Sequence, residues 1–166
     1  MLLTAMLAMN TASAMPVADK EMGVGVALTY PAYSVTLKKW GTLDILPGDG
    51  DGGAAAYVGI RPGYYGLSIH ARGNVEKDFW TPPWEFGFAE QRVYFGVGVN
   101  VDFTLGYYRN LAIGAGGLIG YQLALNSFPL EVAIQIEPGI NFNVIRSYYS
   151  LIQFRYYSGL VARYYF

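Results

Sequence analysis

The chain has no cysteine, which excludes a disulfide scaffold and any thiolate nucleophile or thiolate metal site. Charge is scarce as well. Asp, Glu, Lys and Arg make up 14% of the 166 residues, against roughly 25% in soluble domains. That is too little to coat a soluble surface. The net charge of −1 provides no basic field to attract nucleic acid. Apolar runs of roughly 18 residues, the length of a membrane-spanning helix, are missing beyond the N-terminus. What the chain has in quantity is small and aromatic: 21 Gly, 15 Tyr and 9 Phe, with 53% hydrophobic residues overall. Its length favours one domain.

Residues 1–14 form a short apolar stretch ending in Ala12, Ser13 and Ala14. This resembles the core and small-residue cleavage site of a secretory signal peptide, with residues 15–166 as the mature domain. The positively charged start of such a signal is missing, which suggests a truncated or misassigned start. The competing reading is an apolar N-terminal helix, too short to span a bilayer.

Side chains of an extended strand alternate between faces, and that alternation dominates the chain. In Leu130–Val144, Leu130, Val132, Ile134, Ile136, Ile140, Phe142 and Val144 oppose Glu131, Ala133, Gln135, Glu137, Asn141 and Asn143. In Gln91–Leu105, Val93, Phe95, Val97, Val99, Val101 and Phe103 oppose Arg92, Tyr94, Gly96, Gly98, Asn100 and Asp102. Such runs are too long and too regular for helices. The same pattern marks Met22–Tyr30, Tyr33–Trp40, Tyr65–Ala71, Leu111–Leu125 and Leu151–Phe166, and more weakly Ala54–Arg61. Eight strands result. An even count brings both termini to one side, and eight is the smallest single-chain bacterial outer-membrane barrel.

Alternation alone does not say which face is outside. A soluble lipocalin-like barrel buries its apolar face around a ligand. Here the opposite face is rich in Gly, Ala and Ser, a poor solvent coat but one that suits a narrow barrel interior. Tyr and Trp also gather near strand ends, at Tyr30, Tyr33, Trp40, Tyr64, Tyr65, Tyr107, Tyr108, Tyr148, Tyr149 and Tyr164, as in interfacial aromatic belts. The expectation is an all-β, eight-stranded antiparallel transmembrane β-barrel. Val97, Val99, Val132, Ile134, Ile136 and Phe166 are its expected lipid-facing residues. With periplasmic termini, the connections at Pro31, 61–64 and 106–110 are extracellular and short. The long ones, 41–53 and 74–90, are periplasmic, the reverse of the usual pattern.

Several ordered blocks carry a family resemblance: Gly23–Pro31, Lys38–Trp40, Leu67–Ala71, Val93–Val99, Phe128–Glu131, Glu137–Gly139 and Arg163–Phe166. Together they resemble a broad, uncharacterised family of small outer-membrane β-barrel proteins of diderm bacteria, similar in architecture to the OmpA transmembrane domain. Trp80–Trp84 and the glycine-rich segment 49–53 depart from it. The resemblance implies the bacterial outer membrane as location, lipid and the barrel-assembly machinery as partners, and a monomer; it supplies no activity. The chain's last strand, with Leu160, Ala162, Tyr164 and terminal Phe166 on one face, resembles the C-terminal signal that the assembly machinery reads.

An interior face assigned by this alternation holds Lys38, Arg61, His70, Arg72, Arg92, Arg155 and Arg163 against Asp102, Glu131 and Glu137. Buried charge is costly unless paired, so these should interlock as a lumen charge network. A filled lumen is the favoured reading and a narrow porin-like channel the alternative. Ser68 and the lone His70 share a face and invite a hydrolase reading. Residues i and i+2 of a strand lie roughly 6.5–7 Å apart, too far for direct proton transfer. Asp44, Asp49 and Asp51 among glycines could ligate calcium, but no later acidic ligand completes a binding loop; a turn is the better reading. The glycines form no dinucleotide fingerprint. The expected role is therefore structural or surface-interacting and non-enzymatic, with no catalytic residue, metal or cofactor and no nucleic-acid partner.

Overall fold

A computed structural model describes residues 22–40, 46, 51–63, 66–84, 86–106, 109–145 and 151–166. The expected signal segment, residues 1–14, lies outside the described residues. Eight strands follow in order: β1 (Met22–Tyr30), β2 (Ala32–Trp40), β3 (Gly52–Gly63), β4 (Gly66–Trp80), β5 (Ala89–Gly106), β6 (Asn110–Leu125), β7 (Leu130–Ile145) and β8 (Ile152–Tyr165). Each pairs antiparallel with the next, and β1 also pairs with β8, so the sheet is a closed barrel. Closure removes the unpaired edges that an open sheet exposes.

All eight expected strands are present; most agree to within two residues at each end, and one is much longer than expected. The segment from Asn74, expected as connection, continues β4 to Trp80, with Asn74 opposite Gly98 and Lys77 opposite Phe95 in the β5 register. The charged run Glu76-Lys77-Asp78 resembles a loop in composition. Yet Ser68, His70, Arg72, Asn74, Glu76 and Asp78 all occupy the inward phase and are all buried. An irregularity between Asp78 and Trp80 ends the ladder.

The barrel is apolar outside and polar inside. Val26, Val35, Val58, Ile69, Val99, Ile119, Ile134 and Leu160, one from each strand, are exposed. Val97, Ile136 and Phe166 are exposed with them, and Val132 is half-buried. Buried polar and charged side chains outnumber buried apolar ones among the described residues. Trp40 departs from the expected aromatic belt. It shares the inward phase of Lys38, and its indole Nε1 donates to Tyr165 Oη at 3.1 Å. Tyr30, Tyr33 and Tyr164 are exposed as expected; Tyr64, Tyr65, Tyr107, Tyr108, Tyr148 and Tyr149 lie outside the described residues.

Glycine makes this interior possible. A Cβ at Gly120 would sit 2.2 Å from Cζ of Tyr94, and one at Gly23 would sit 2.7 Å from the Tyr165 ring. Two large rings therefore lie across the barrel wall where neighbours have no side chain. Gly66 and Gly106, directly paired at one rim, take φ values of 149° and 151° that side chains resist. Connections at that rim are Pro31, 64–65, 107–109 and 146–151. The rim that holds the termini has the longer connections 41–51 and 81–88, along with 126–129.

Candidate functional site

The interior has two layers of charge. In the half nearer the termini, Lys38 of β2 meets Glu76 of β4 at 2.9 Å and Glu131 of β7 at 3.9 Å. Its ammonium also lies 3.8 Å from the Trp40 ring centre, a cation–π contact. Arg163 of β8 lies opposite Glu131 in the strand register and binds its Oε1 through Nη1 at 2.5 Å. The remaining guanidinium donors reach Tyr57 Oη at 2.6 Å and Thr36 Oγ1 at 3.2 Å. Tyr165 Oη donates to the other oxygen of Glu131 at 2.6 Å. Tyr57 of β3 passes the chain on to Gln135 of β7 at 3.1 Å. Lys38, Glu76, Glu131 and Arg163 are fully buried.

The second layer lies toward the other rim. Glu137 of β7 takes Arg72 of β4 at 2.9 Å and Arg155 of β8 at 2.7 Å. Arg72 also stacks 3.9 Å over the Tyr57 ring, joining the layers. Asp102 of β5 accepts from Asn100 at 2.6 Å, Asn141 at 3.0 Å and Tyr157 at 3.3 Å. Arg61 of β3, with 28% of its side chain exposed, stands 4.0 Å from Asp102. A recess of about 190 Å³ opens here.

Of the ten residues expected in a lumen network, eight are buried: Lys38, His70, Arg72, Asp102, Glu131, Glu137, Arg155 and Arg163. Arg61 lies at one mouth. Arg92 lies at the other, apart from both layers, where Asp78, Asp51 and Glu90 surround it at 2.8, 3.2 and 3.3 Å. These groups line a bowl of about 670 Å³. Asp51 is thus an arginine partner; Asp44 and Asp49 lie outside the described residues. No group of three or more potential metal ligands occurs among the described residues.

The Ser68–His70 pairing does not form. Ser68 Oγ bonds Thr104 Oγ1 at 2.8 Å, while His70 Nε2 bonds Ser34 Oγ at 2.9 Å. The second ring nitrogen of His70 has no hydrogen-bond partner among the described residues. Glu76 and Tyr57, at the polar centre of the first layer, were missed from the sequence; they lie there with Gln135, which was expected on the inward face. Extending the period-two phase from Ser68 through Asp78 identifies Glu76. On the outer wall, Leu160, Tyr164 and Phe166 are exposed and Ala162 is half-buried.

No family model, curated protein or solved structure matches the chain. What is established is the class: an eight-stranded closed antiparallel β-barrel with buried salt bridges inside.

Proposed function

We propose that this chain is a non-enzymatic outer-membrane β-barrel whose lumen is closed by its own ion pairs, serving a structural or surface-interaction role. The observation that carries the reading is the inverted distribution of side chains. Apolar groups cover the outer wall of every strand, while Lys38, Glu76, Glu131 and Arg163 are sealed inside. Water would oppose such an exterior, and hydrocarbon favours it. The shortest strands, β1 and β2, have 9 residues, close to the roughly 9–11 that a tilted membrane strand needs. A charged interior argues against a lipocalin-like pocket for an apolar ligand. His70 Nε2 bonds Ser34 and its Nδ1 has no hydrogen-bond partner among the described residues, which argues against a hydrolytic triad.

Closure follows from cross-lumen bonds. Tyr57 to Gln135 and Arg163 to Tyr57 join β3 with β7 and β8, and Arg72 to Glu137 joins β4 with β7. An eight-stranded barrel is just wide enough for side chains to fill. Phe166 and its face of β8 would then serve insertion by the barrel-assembly machinery, as a monomer in lipid.

Purified protein reconstituted in vesicles should float with them and give a heat-dependent gel shift. In planar bilayers it should carry no current. Discrete conductance steps that change in Glu137→Gln would overturn closure and make it a small channel. Ile134→Arg should cost about 2–4 kcal/mol of folding free energy in lipid if that site lies near the midplane. Unchanged stability of this variant would sink the outward assignment.

A further inference from the structure

The two layers differ in charge balance. In the layer beside the short connections, the guanidinium groups of Arg61, Arg72 and Arg155 face two interior carboxylates, Asp102 and Glu137. Each acid already has donors or cations, although Glu137 Oε1 meets Arg155 Nη2 as an ion pair and not as a hydrogen bond. Asp102 has three hydrogen-bond donors besides Arg61, and Glu137 has Arg72, Arg155 and Asn74.

The arginines are served only in part. Arg155 has 4% of its side chain exposed, and only its Nη2 approaches an acid. Its Nε and Nη1 have no hydrogen-bond acceptor among the described residues, nor do Nε and Nη2 of Arg72. A buried guanidinium with idle N–H groups is an acceptor-seeking site. Arg155 lines the 190 Å³ recess together with Arg61, Asn110, Gln153 and one carboxylate, Asp102. The charge of Asp102 is met by Asn100, Asn141 and Tyr157 donors, so two guanidinium groups face one acid there. That volume suits a small anion and excludes a large ligand.

We propose that this mouth of the lumen binds a small oxoanion, with Arg155 as the buried donor and Arg61 as the rim residue that closes over it. The chemistry required is a compact anion with several acceptor oxygens, such as phosphate, sulfate or a phosphomonoester. Arg61 is suited to the rim role because its 4.0 Å approach to Asp102 leaves that ion pair loose. The bowl at the opposite mouth has the reverse balance, three carboxylates around Arg92, and should repel the same anion. The proposal goes beyond the structural role and does not rest on closure, since the recess opens at one mouth and binding is read without current.

The test is titration of inorganic phosphate into the folded full-length barrel in detergent at constant ionic strength, followed by calorimetry. Saturable binding at one site is expected, with sulfate competing and chloride not. Arg61→Gln, at a partly exposed position, should weaken binding about tenfold with the gel shift retained. Arg155→Met should abolish binding; if that variant fails to fold, the Arg61→Gln arm decides alone. Absence of saturable binding, or an affinity unchanged in Arg61→Gln, overturns the site. A parallel titration with a short-chain phosphatidic acid separates the sources. Tighter binding than phosphate assigns the site to a lipid headgroup, and equal or weaker binding to a free anion; either supports the oxoanion site.

Discussion

In the half of the lumen nearer the termini, two cations, Lys38 and Arg163, meet two carboxylates, Glu76 and Glu131, all fully buried. In the other half, three arginines meet two carboxylates, one arginine is partly exposed, and a recess remains. The strands are the same; the partners differ. Tyr57 and Thr36 accept from Arg163, Tyr165 donates to Glu131 and Gln122 accepts from Lys38. Of the four charged groups, only Glu76 Oε2, itself 2.9 Å from Lys38, has no hydrogen-bond partner among the described residues. Among the described residues, Nε and Nη1 of Arg155 have no such partner. Buried ion pairs offset their desolvation only when such additional hydrogen bonds are made. The first half is thus the more completely bonded of the two, and the second keeps idle guanidinium N–H groups beside a recess.

The largest effect should come from breaking the closed half. Glu131→Gln leaves Arg163 fully buried without its carboxylate, and should cost about 3–5 kcal/mol. Urea titration in lipid vesicles, read from the gel-shifted folded band, measures it. The double variant Glu131→Leu with Arg163→Met should recover most of the loss, because an apolar replacement of a buried pair is often neutral. A loss under 1 kcal/mol in Glu131→Gln would erase the distinction between the halves.

Next in size is a steric test of the same half. Gly120→Ala places a Cβ 2.2 Å from the Tyr94 ring, and Tyr94 is fully buried beside the Gln135 amide. Overpacking of this kind costs about 1–3 kcal/mol. The same urea titration should show it, whereas Gly73→Ala, where an added Cβ meets nothing within 4 Å, should cost far less. Equal losses at the two positions would mean that backbone propensity, rather than the Tyr94 socket, sets the requirement for glycine.

The sequence was most legible where charge kept to one face of a strand. β5, β6 and β7 declare themselves because Val, Ile and Phe alternate with Gly, Asn and Ala over many residues. The far end of β4 was hidden, since Glu76, Lys77 and Asp78 put polar groups on both faces at once. Lys77 points away from the lumen yet is buried, its ammonium donating to Leu46 O at 2.9 Å. A lysine on the outer phase with a backbone partner thus disguises a strand as a loop. Trp40 misled for a related reason: its composition suggests an interface, and its phase puts it inside. Which lumen charges would meet was less legible, because register across eight strands decides that Arg163 faces Glu131 while Arg92 ends at a mouth.

The smallest effect should come from the open half, and its smallness is informative. Arg155→Met removes one of two arginines from Glu137 and leaves Arg72 at 2.9 Å, so the carboxylate stays paired. The lost guanidinium had idle donors in a nearly buried place, and its removal also relieves the surplus of positive charge. Methionine occupies much of the same socket against Gly139, whose Cβ position lies 2.7 Å from Arg155 Nε. Stability should therefore stay within about 1 kcal/mol of the parent, against several for Glu131→Gln. A loss as large as that of Glu131→Gln would show that both halves hold the barrel together equally, and that the recess is part of the scaffold.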